Sequence, residues 1–177
     1  MATKIAINGF GRIGRCVARV LFDGSHNDLE LVAINDLTDA PTLAHLLQFD
    51  SVHRTFKHQV RADKGGIVVG DKQIPIFAEK DPGKLPWKDL GVDIVLECTG
   101  IFRSKAKGQL HLNAGAKRVI ISAPGESDVD ATFCVGINSD QYDPGKHVVF
   151  SNASCTTNCL APLAKVLDET YGIEKGH

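Results

Sequence analysis

Apolar residues in this chain fall into two alternating rhythms, short continuous runs and stretches with helical spacing. Lys4–Asn8 is a short apolar run that predicts a strand. Leu29–Asn35 (Leu-Glu-Leu-Val-Ala-Ile-Asn) is another, apolar enough for burial on both faces. Between them Arg12–Phe22 places Ile13, Val17, Val20 and Leu21 at helical spacing, which predicts a helix with those four on its inner stripe. Thr42–Phe49 reads as a helix after Pro41. Phe56–Val60, Ile67–Val69 and Gln73–Phe77 are strand-like pieces split by Lys64-Gly65-Gly66 and Gly70-Asp71, so a hairpin excursion is expected. Asp81 to Trp87 is a loop or short helical turn. The alternation then resumes, with a strand at Asp93–Cys98, a helix at Ser104–Ala114 closed by Gly115, and a strand at Arg118–Ser122. Thr132–Val135 and Val148–Phe150 are later strands. This β-α-β order with short connections predicts an α/β fold built on a doubly wound, mostly parallel sheet.

The final unit carries reactive chemistry. An apolar strand over Lys146–Phe150 runs into Ser151-Asn152-Ala153-Ser154-Cys155-Thr156-Thr157-Asn158. From Cys155 onward Leu160, Leu163, Ala164 and Leu167 recur at helical spacing up to Tyr171-Gly172. Ser154 suits the N-cap. A thiol in the first turn feels the positive end of the helix dipole, which favours thiolate. The hydroxyls of Ser154, Thr156 and Thr157 beside free N–H groups suit an anion such as phosphate. An arbitrary cysteine is more often a packed one, but these flanking hydroxyls favour a nucleophile at Cys155.

Bulk properties narrow the field. The 177 residues are 43% hydrophobic and 23% charged, enough for one core with a little chain to spare. Formal net charge is −1, which argues against a nucleic-acid or anionic-membrane partner. No apolar run approaches transmembrane length, and Met1-Ala2-Thr3-Lys4 leads directly into a strand without a signal peptide's apolar region. Five scattered cysteines, with Cys16, Cys98 and Cys134 inside apolar segments, suit a reduced cytoplasmic protein. No Cys/His spacing suggests a metal, and Cys159, one turn from Cys155, is expected to serve packing. The basic cluster His53-Arg54…Lys57-His58 reads as solvated surface.

Gly9-Phe10-Gly11-Arg12-Ile13-Gly14 matches G-x-G-x-x-G, directly after a strand and at the start of a helix. Asp36 ends the next strand, at the spacing expected of a ribose-binding carboxylate. In this Rossmann arrangement Gly9 allows the tight turn, Gly11 lets backbone approach a pyrophosphate, and Gly14 lets helix and sheet pack closely. Asp36 would accept from the adenosine ribose and repel a 2′-phosphate, and Leu37-Thr38-Asp39 offers no compensating arginine. NAD is therefore expected over NADP. Thr99-Gly100 and Ser122-Ala123-Pro124 follow strand ends and should border the same crevice.

Taken together, Ile7-Asn8-Gly9-Phe10-Gly11-Arg12-Ile13-Gly14-Arg15, Asn35-Asp36, Glu97-Cys98-Thr99-Gly100, Ala116–Pro124 and Ser151–Asn158 resemble the phosphorylating glyceraldehyde-3-phosphate dehydrogenase family over essentially the whole chain. The resemblance implies a glycolytic, homotetrameric enzyme in which Cys155 is the nucleophile and Ser154 and Thr156 hold substrate or inorganic phosphate. It places Arg12 and Ile13 on the pyrophosphate, Asp36 on the ribose, and Asn8, Thr99 and Ser122 in the cofactor site. Lys80 stands where the family often has arginine, keeping the charge without a planar guanidinium. The implied reaction is attack of the Cys155 thiolate on an aldehyde, hydride transfer to NAD, and release of the thioester by phosphate.

The family's general base is a histidine in a Thr-Thr-Val-His stretch that would follow the region matching Tyr171–Gly176. His177 directly follows Gly176 and is not read as that base. Residues 1–151 are thus expected to form the cofactor domain and 152–177 to begin a severed catalytic domain. Two other readings stay open: an NAD-binding module without turnover, and an erythrose-4-phosphate dehydrogenase paralogue. The apolar stripe of the last helix is expected to be exposed or to pair with another chain.

Overall fold

The computed structural model describes residues 2–176, so Met1 and His177 lie outside the described residues. Its strands are β1 (Thr3–Asn8), β2 (Leu29–Asn35), β3 (Phe49–Asp50), β4 (Arg54–Thr55), β5 (Val60–Asp63), β6 (Gly66–Val69), β7 (Lys72–Phe77), β8 (Ile94–Glu97), β9 (Arg118–Ile121), β10 (Ala131–Thr132) and β11 (Val149–Ser151). The α-helices are α1 (Arg12–Leu21), α2 (Ala40–Gln48), α3 (Trp87–Leu90), α4 (Lys105–Asn113) and α5 (Cys155–Tyr171).

Nine strands form one sheet in the order β10-β11-β9-β8-β1-β2-β7-β6-β5. The pairs from β10 to β7 are parallel, while β5, β6 and β7 form an antiparallel meander that extends one edge. The short pair β3-β4 stands apart. The chain therefore has the doubly wound, mostly parallel Rossmann fold with an antiparallel excursion.

Each sheet face carries its own core. On one, Ile7, Phe10, Leu31 and Ile34 pack with Ala18 of α1 and Leu43 and Leu47 of α2. On the other, Ala6, Ala33, Val95, Val119 and Val149 pack around Trp87. A register shift between Ile5 and Ala6 puts one extra residue, Val32, in β2, so Leu31 and Ile34 reach the same core. Capping is local: Asp39 accepts from the Thr42 amide at 3.0 Å to start α2, and Ser104 from the Lys107 amide at 3.2 Å to start α4.

Three details depart from the sequence reading. The inner stripe of α1 is Gly14, Val17, Ala18 and Leu21, whereas Ile13 and Val20 are each 48% exposed. Helix and sheet come so close at the glycine turn that small residues face inward there. Phe56 is buried but outside any strand, since β5 begins only at Val60. The strand expected at Thr132–Val135 shrinks to Ala131–Thr132 because Cys134 turns away, its amide donating to Asn138 Oδ1 at 2.8 Å.

Candidate active site

The carboxyl ends of the strands line up in one row. Asn8 of β1 is in register with Asn35 of β2 and Glu97 of β8; Glu97 is in register with Ile121 of β9, and Ile121 with Ser151 of β11. The chain leaves β1 toward β2 on one side and returns on the other at β8, so the strand order reverses at β1. Ligands of such sheets bind outside this switch point. A cavity of about 450 Å³ opens there, lined by Asn8, Gly9, Gly11, Asn35, Asp36, Leu37, Glu79, Lys80, Cys98, Thr99, Ile101 and Phe102.

The three glycines of the turn are needed for different reasons. Gly9 has φ +90°, and a Cβ there would lie 2.7 Å from the Thr99 amide nitrogen. A Cβ at Gly14 would be driven into the Gly9 carbonyl oxygen. At Gly11 an added Cβ would meet no protein atom within 4 Å. The protein's own packing does not demand glycine at 11; a ligand approaching the backbone would. Asp36 lines the same cavity, its Oδ2 accepting from the Phe10 amide at 2.7 Å and its Oδ1 from the Thr38 amide at 2.9 Å. Each oxygen keeps a lone pair for a further donor.

A buried polar network lies beneath this floor. Glu97 is 1% exposed, and its carboxylate takes four donors. Oε2 accepts from Asn8 Nδ2 at 2.5 Å and from His111 Nε2 at 3.1 Å; Oε1 accepts from the Thr99 amide at 2.8 Å and from the Thr99 hydroxyl. Trp87 Nε1 donates to His111 Nδ1 at 3.0 Å, so the imidazole proton sits on Nε2 and points at Glu97. Asn35 donates to Asn8 Oδ1 at 2.7 Å and to the Glu79 carbonyl at 2.9 Å, and accepts from the Glu79 amide at 2.9 Å. The network ties β1, β2, β8, α4 and the Glu79-Lys80 segment into one support for the cavity. Asn35, Glu97, His111 and Trp87 have no assigned role in the sequence reading. The signal was present, because a charge at the end of Ile-Val-Leu-Glu in a buried strand must find partners.

Among the residues singled out from sequence, Asn8, Gly9, Gly11, Asp36, Lys80 and Thr99 line the cavity. Gly14 is buried in the turn, and Ile13 on α1 is half exposed and does not line the cavity. Arg12 does not line it: its guanidinium pairs with Asp50 at 2.6 Å. The His53 amide, Arg12 and the Val52 amide together hold the Asp50 carboxyl well below the usual carboxylate range. Ser122 stands one strand away at the end of β9, its amide donating to the Glu97 carbonyl at 2.9 Å. Next to it burial pushes the Cys98 thiol up to about 11.

Cys155 is exposed and begins α5, as the sequence reading expects of the helix. Ser154 caps that helix, its Oγ accepting from the Thr157 amide at 2.9 Å, and the hydroxyls of Thr156 and Thr157 lie 2.8 and 2.7 Å from the same oxygen. The Asn152 amide donates to the Ile121 carbonyl at 2.9 Å, which fastens the turn to the same sheet end as the cavity. From β1 to β11 is three strand spacings, about 14 Å, so thiol and cavity share one edge without touching. Cys159 is exposed, not packed. So are Leu160, Leu163, Val166 and Leu167, the apolar stripe of a helix with no buried residue. His53, Arg54 and Lys57 are exposed, while His58 packs its ring against Phe22 and Phe56. Among the described residues no cluster of three or more His, Cys, Asp or Glu side chains is placed to hold a metal ion, and no helix is long and apolar enough to cross a membrane.

A glycine turn, an acidic residue closing the second strand and a cavity at the switch point of a doubly wound sheet define a dinucleotide-binding fold. Residues 3–105 match the family described as glyceraldehyde 3-phosphate dehydrogenase, NAD binding domain, and residues 154–177 its C-terminal domain. The chain belongs to the glyceraldehyde 3-phosphate dehydrogenase family. It is 55% identical over 173 residues to glyceraldehyde-3-phosphate dehydrogenase of Thermotoga maritima, covering 98% of this chain and 51% of that protein. It is 56% identical over 174 residues to glyceraldehyde-3-phosphate dehydrogenase 1 of Bacillus cereus (98% and 51%), and 54% identical over 176 residues to the Geobacillus stearothermophilus enzyme (99% and 52%). The chain spans about half the length of the curated relatives it matches.

Proposed function

We propose that this chain is the NAD-binding half, with the nucleophile segment, of a phosphorylating glyceraldehyde-3-phosphate dehydrogenase. The observation that carries the reading is Gly11: a Cβ there would meet no protein atom within 4 Å, and Gly11 lines the cavity that Asp36 and Lys80 also line. That cradle fits a pyrophosphate against the backbone, with Asp36 on the ribose and Lys80 as a nearby cation. NAD, when bound, supplies the hydride acceptor. The protein's part is to hold it: the Glu97 network sets the floor, and Asp36 excludes a 2′-phosphate by charge.

Cys155 would attack the aldehyde carbon of glyceraldehyde 3-phosphate to give a hemithioacetal. Oxidation leaves a thioester on Cys155, and inorganic phosphate displaces the thiolate to release 1,3-bisphosphoglycerate. Ser154 and Thr156 at the first turn of α5 would hold the phosphate, as anions are held at helix N-termini. We read residues 1–151 as the cofactor domain and 152–177 as the start of the catalytic domain, supported by the family matches on either side of that division. The whole protein would work as a homotetramer in the cytoplasm.

This 177-residue chain alone would bind NAD without turnover. Proton transfer needs a positioned base, and among the described residues no histidine hydrogen-bonds the Cys155 thiol. Calorimetric titration with NAD and NADP tests the first part, and absorbance of NADH with glyceraldehyde 3-phosphate and phosphate tests the second. Saturable binding of NAD with no comparable binding of NADP is expected, and no steady NADH production. Absence of NAD binding overturns the cofactor reading; sustained NADH production by the chain alone overturns the module reading.

A further inference from the structure

Ala153, two residues before Cys155, has φ +58° and is 5% exposed. Residues other than glycine avoid the left-handed region, and a buried one held there marks a backbone over-determined by its surroundings. The contacts responsible are explicit. On one side Ser151 Oγ accepts from the Ala153 amide at 2.9 Å and donates to the Ala123 carbonyl at 2.7 Å. On the other, Asn158 Nδ2 donates to the carbonyls of Asn152 at 2.8 Å and Ser154 at 2.9 Å, the two neighbours of Ala153. Asn158 Oδ1 accepts from the Cys134 thiol at 3.5 Å, so turning the amide over would break all three bonds.

We propose that Asn158 is a positioning residue for Cys155: its carboxamide pins the left-handed turn at Ala153 and so presents the thiol at the exposed junction of β11 and α5. The proposal rests on Cys155 being the nucleophile. A strained strand-to-helix turn that raises a nucleophile above the end of a sheet is an arrangement that hydrolases use for serine. Here the strain is maintained from the helix side by one amide and from the strand side by one hydroxyl. Without the pin Ala153 relaxes and the cap at Ser154 loosens, so the Cys155 thiol is no longer held in one place at the junction.

Iodoacetamide alkylation of the 177-residue chain, without cofactor or aldehyde, tests this. Peptide mapping gives the rate at Cys155 relative to Cys159, an exposed thiol one turn along the same helix. In Asn158→Ala the Cys155:Cys159 ratio is expected to fall roughly tenfold, the population penalty of a left-handed alanine. Asn158→Asp keeps size but cannot donate to the two carbonyls, and should fall equally. Adding Ala153→Gly to Asn158→Ala should restore the ratio to within about twofold, because glycine takes this turn unaided. An unchanged ratio in Asn158→Ala overturns the proposal, as does a fall that Ala153→Gly does not relieve. Because α5 buries no residue, these variants leave both sheet cores intact. The assay needs no NAD, so its failure and a failure of the cofactor reading are separable.

Discussion

The Asp36 carboxylate accepts the Phe10 amide at 2.7 Å, which makes the acidic end of β2 and the glycine turn after β1 a single unit. The group that would read the ribose also sets the loop that would meet the pyrophosphate. Asp36→Ala should therefore lower NAD affinity by more than the loss of ribose contacts alone, at least about tenfold. Asp36→Asn keeps an acceptor for Phe10 but removes the charge, so the preference for NAD over NADP should narrow. Calorimetric titration of both variants with both cofactors checks this.

Gly11 and Gly14 separate binding from folding. An alanine at 14 would be driven into the Gly9 carbonyl, so Gly14→Ala should destabilise the chain by about 3 kcal/mol. Gly11 is the N-cap of α1 at φ −68° with open space around it, so Gly11→Ala should change stability by no more than about 1 kcal/mol. It should nevertheless weaken NAD binding severely. Urea unfolding and cofactor titration on the same samples give both numbers.

Glu97 offers four acceptor positions to four donors. Glutamine in its place turns two acceptor positions into donors that face other donors. Glu97→Gln should cost about 3 kcal/mol in urea unfolding. It should also reduce NAD affinity, because the Thr99 amide and hydroxyl lose their anchor at the cavity wall.

Burial raises the Cys98 thiol from its ordinary value of 9.0 to about 11. The folded state therefore holds this proton more tightly than the unfolded chain does. The associated stability is complete below the ordinary thiol value and is lost as pH rises toward about 11. The loss is about 2–3 kcal/mol. Comparing urea midpoints of the parent and Cys98→Ala at neutral pH and above pH 10 isolates it: the parent should lose more. At pH 8 a thiol reagent should modify exposed Cys155 and Cys159 quickly and leave Cys98 largely untouched.

Helix α5 is legible from sequence because its signals are local: a capping serine, helical apolar spacing and a terminal glycine lie within twenty residues of one another. The inner face of α1 departs from the sequence expectation for the opposite reason. Hydrophobic spacing alone favours Ile13 and Val20, but the close approach of α1 to the glycine turn admits only Gly14 and Ala18 at the tightest points. Cys159 and the leucine stripe of α5 show a third case, where apolar spacing is correct yet nothing among the described residues covers it.

Local order along the chain was enough to determine the alternation of strands and helices, the glycine turn, the acidic residue that follows it and the thiol at a helix start. Each depends on residues a few positions apart, where spacing and backbone chemistry act directly. Only the tertiary structure decided that Asn35, Asn8 and Glu97 share one register row, that His111 and Trp87 complete their network, and that Arg12 turns to Asp50. It also decided that Asn158 reaches back over Ala153. These depend on which strands become neighbours and which side chains then meet in a buried space, and no local pattern encodes that pairing.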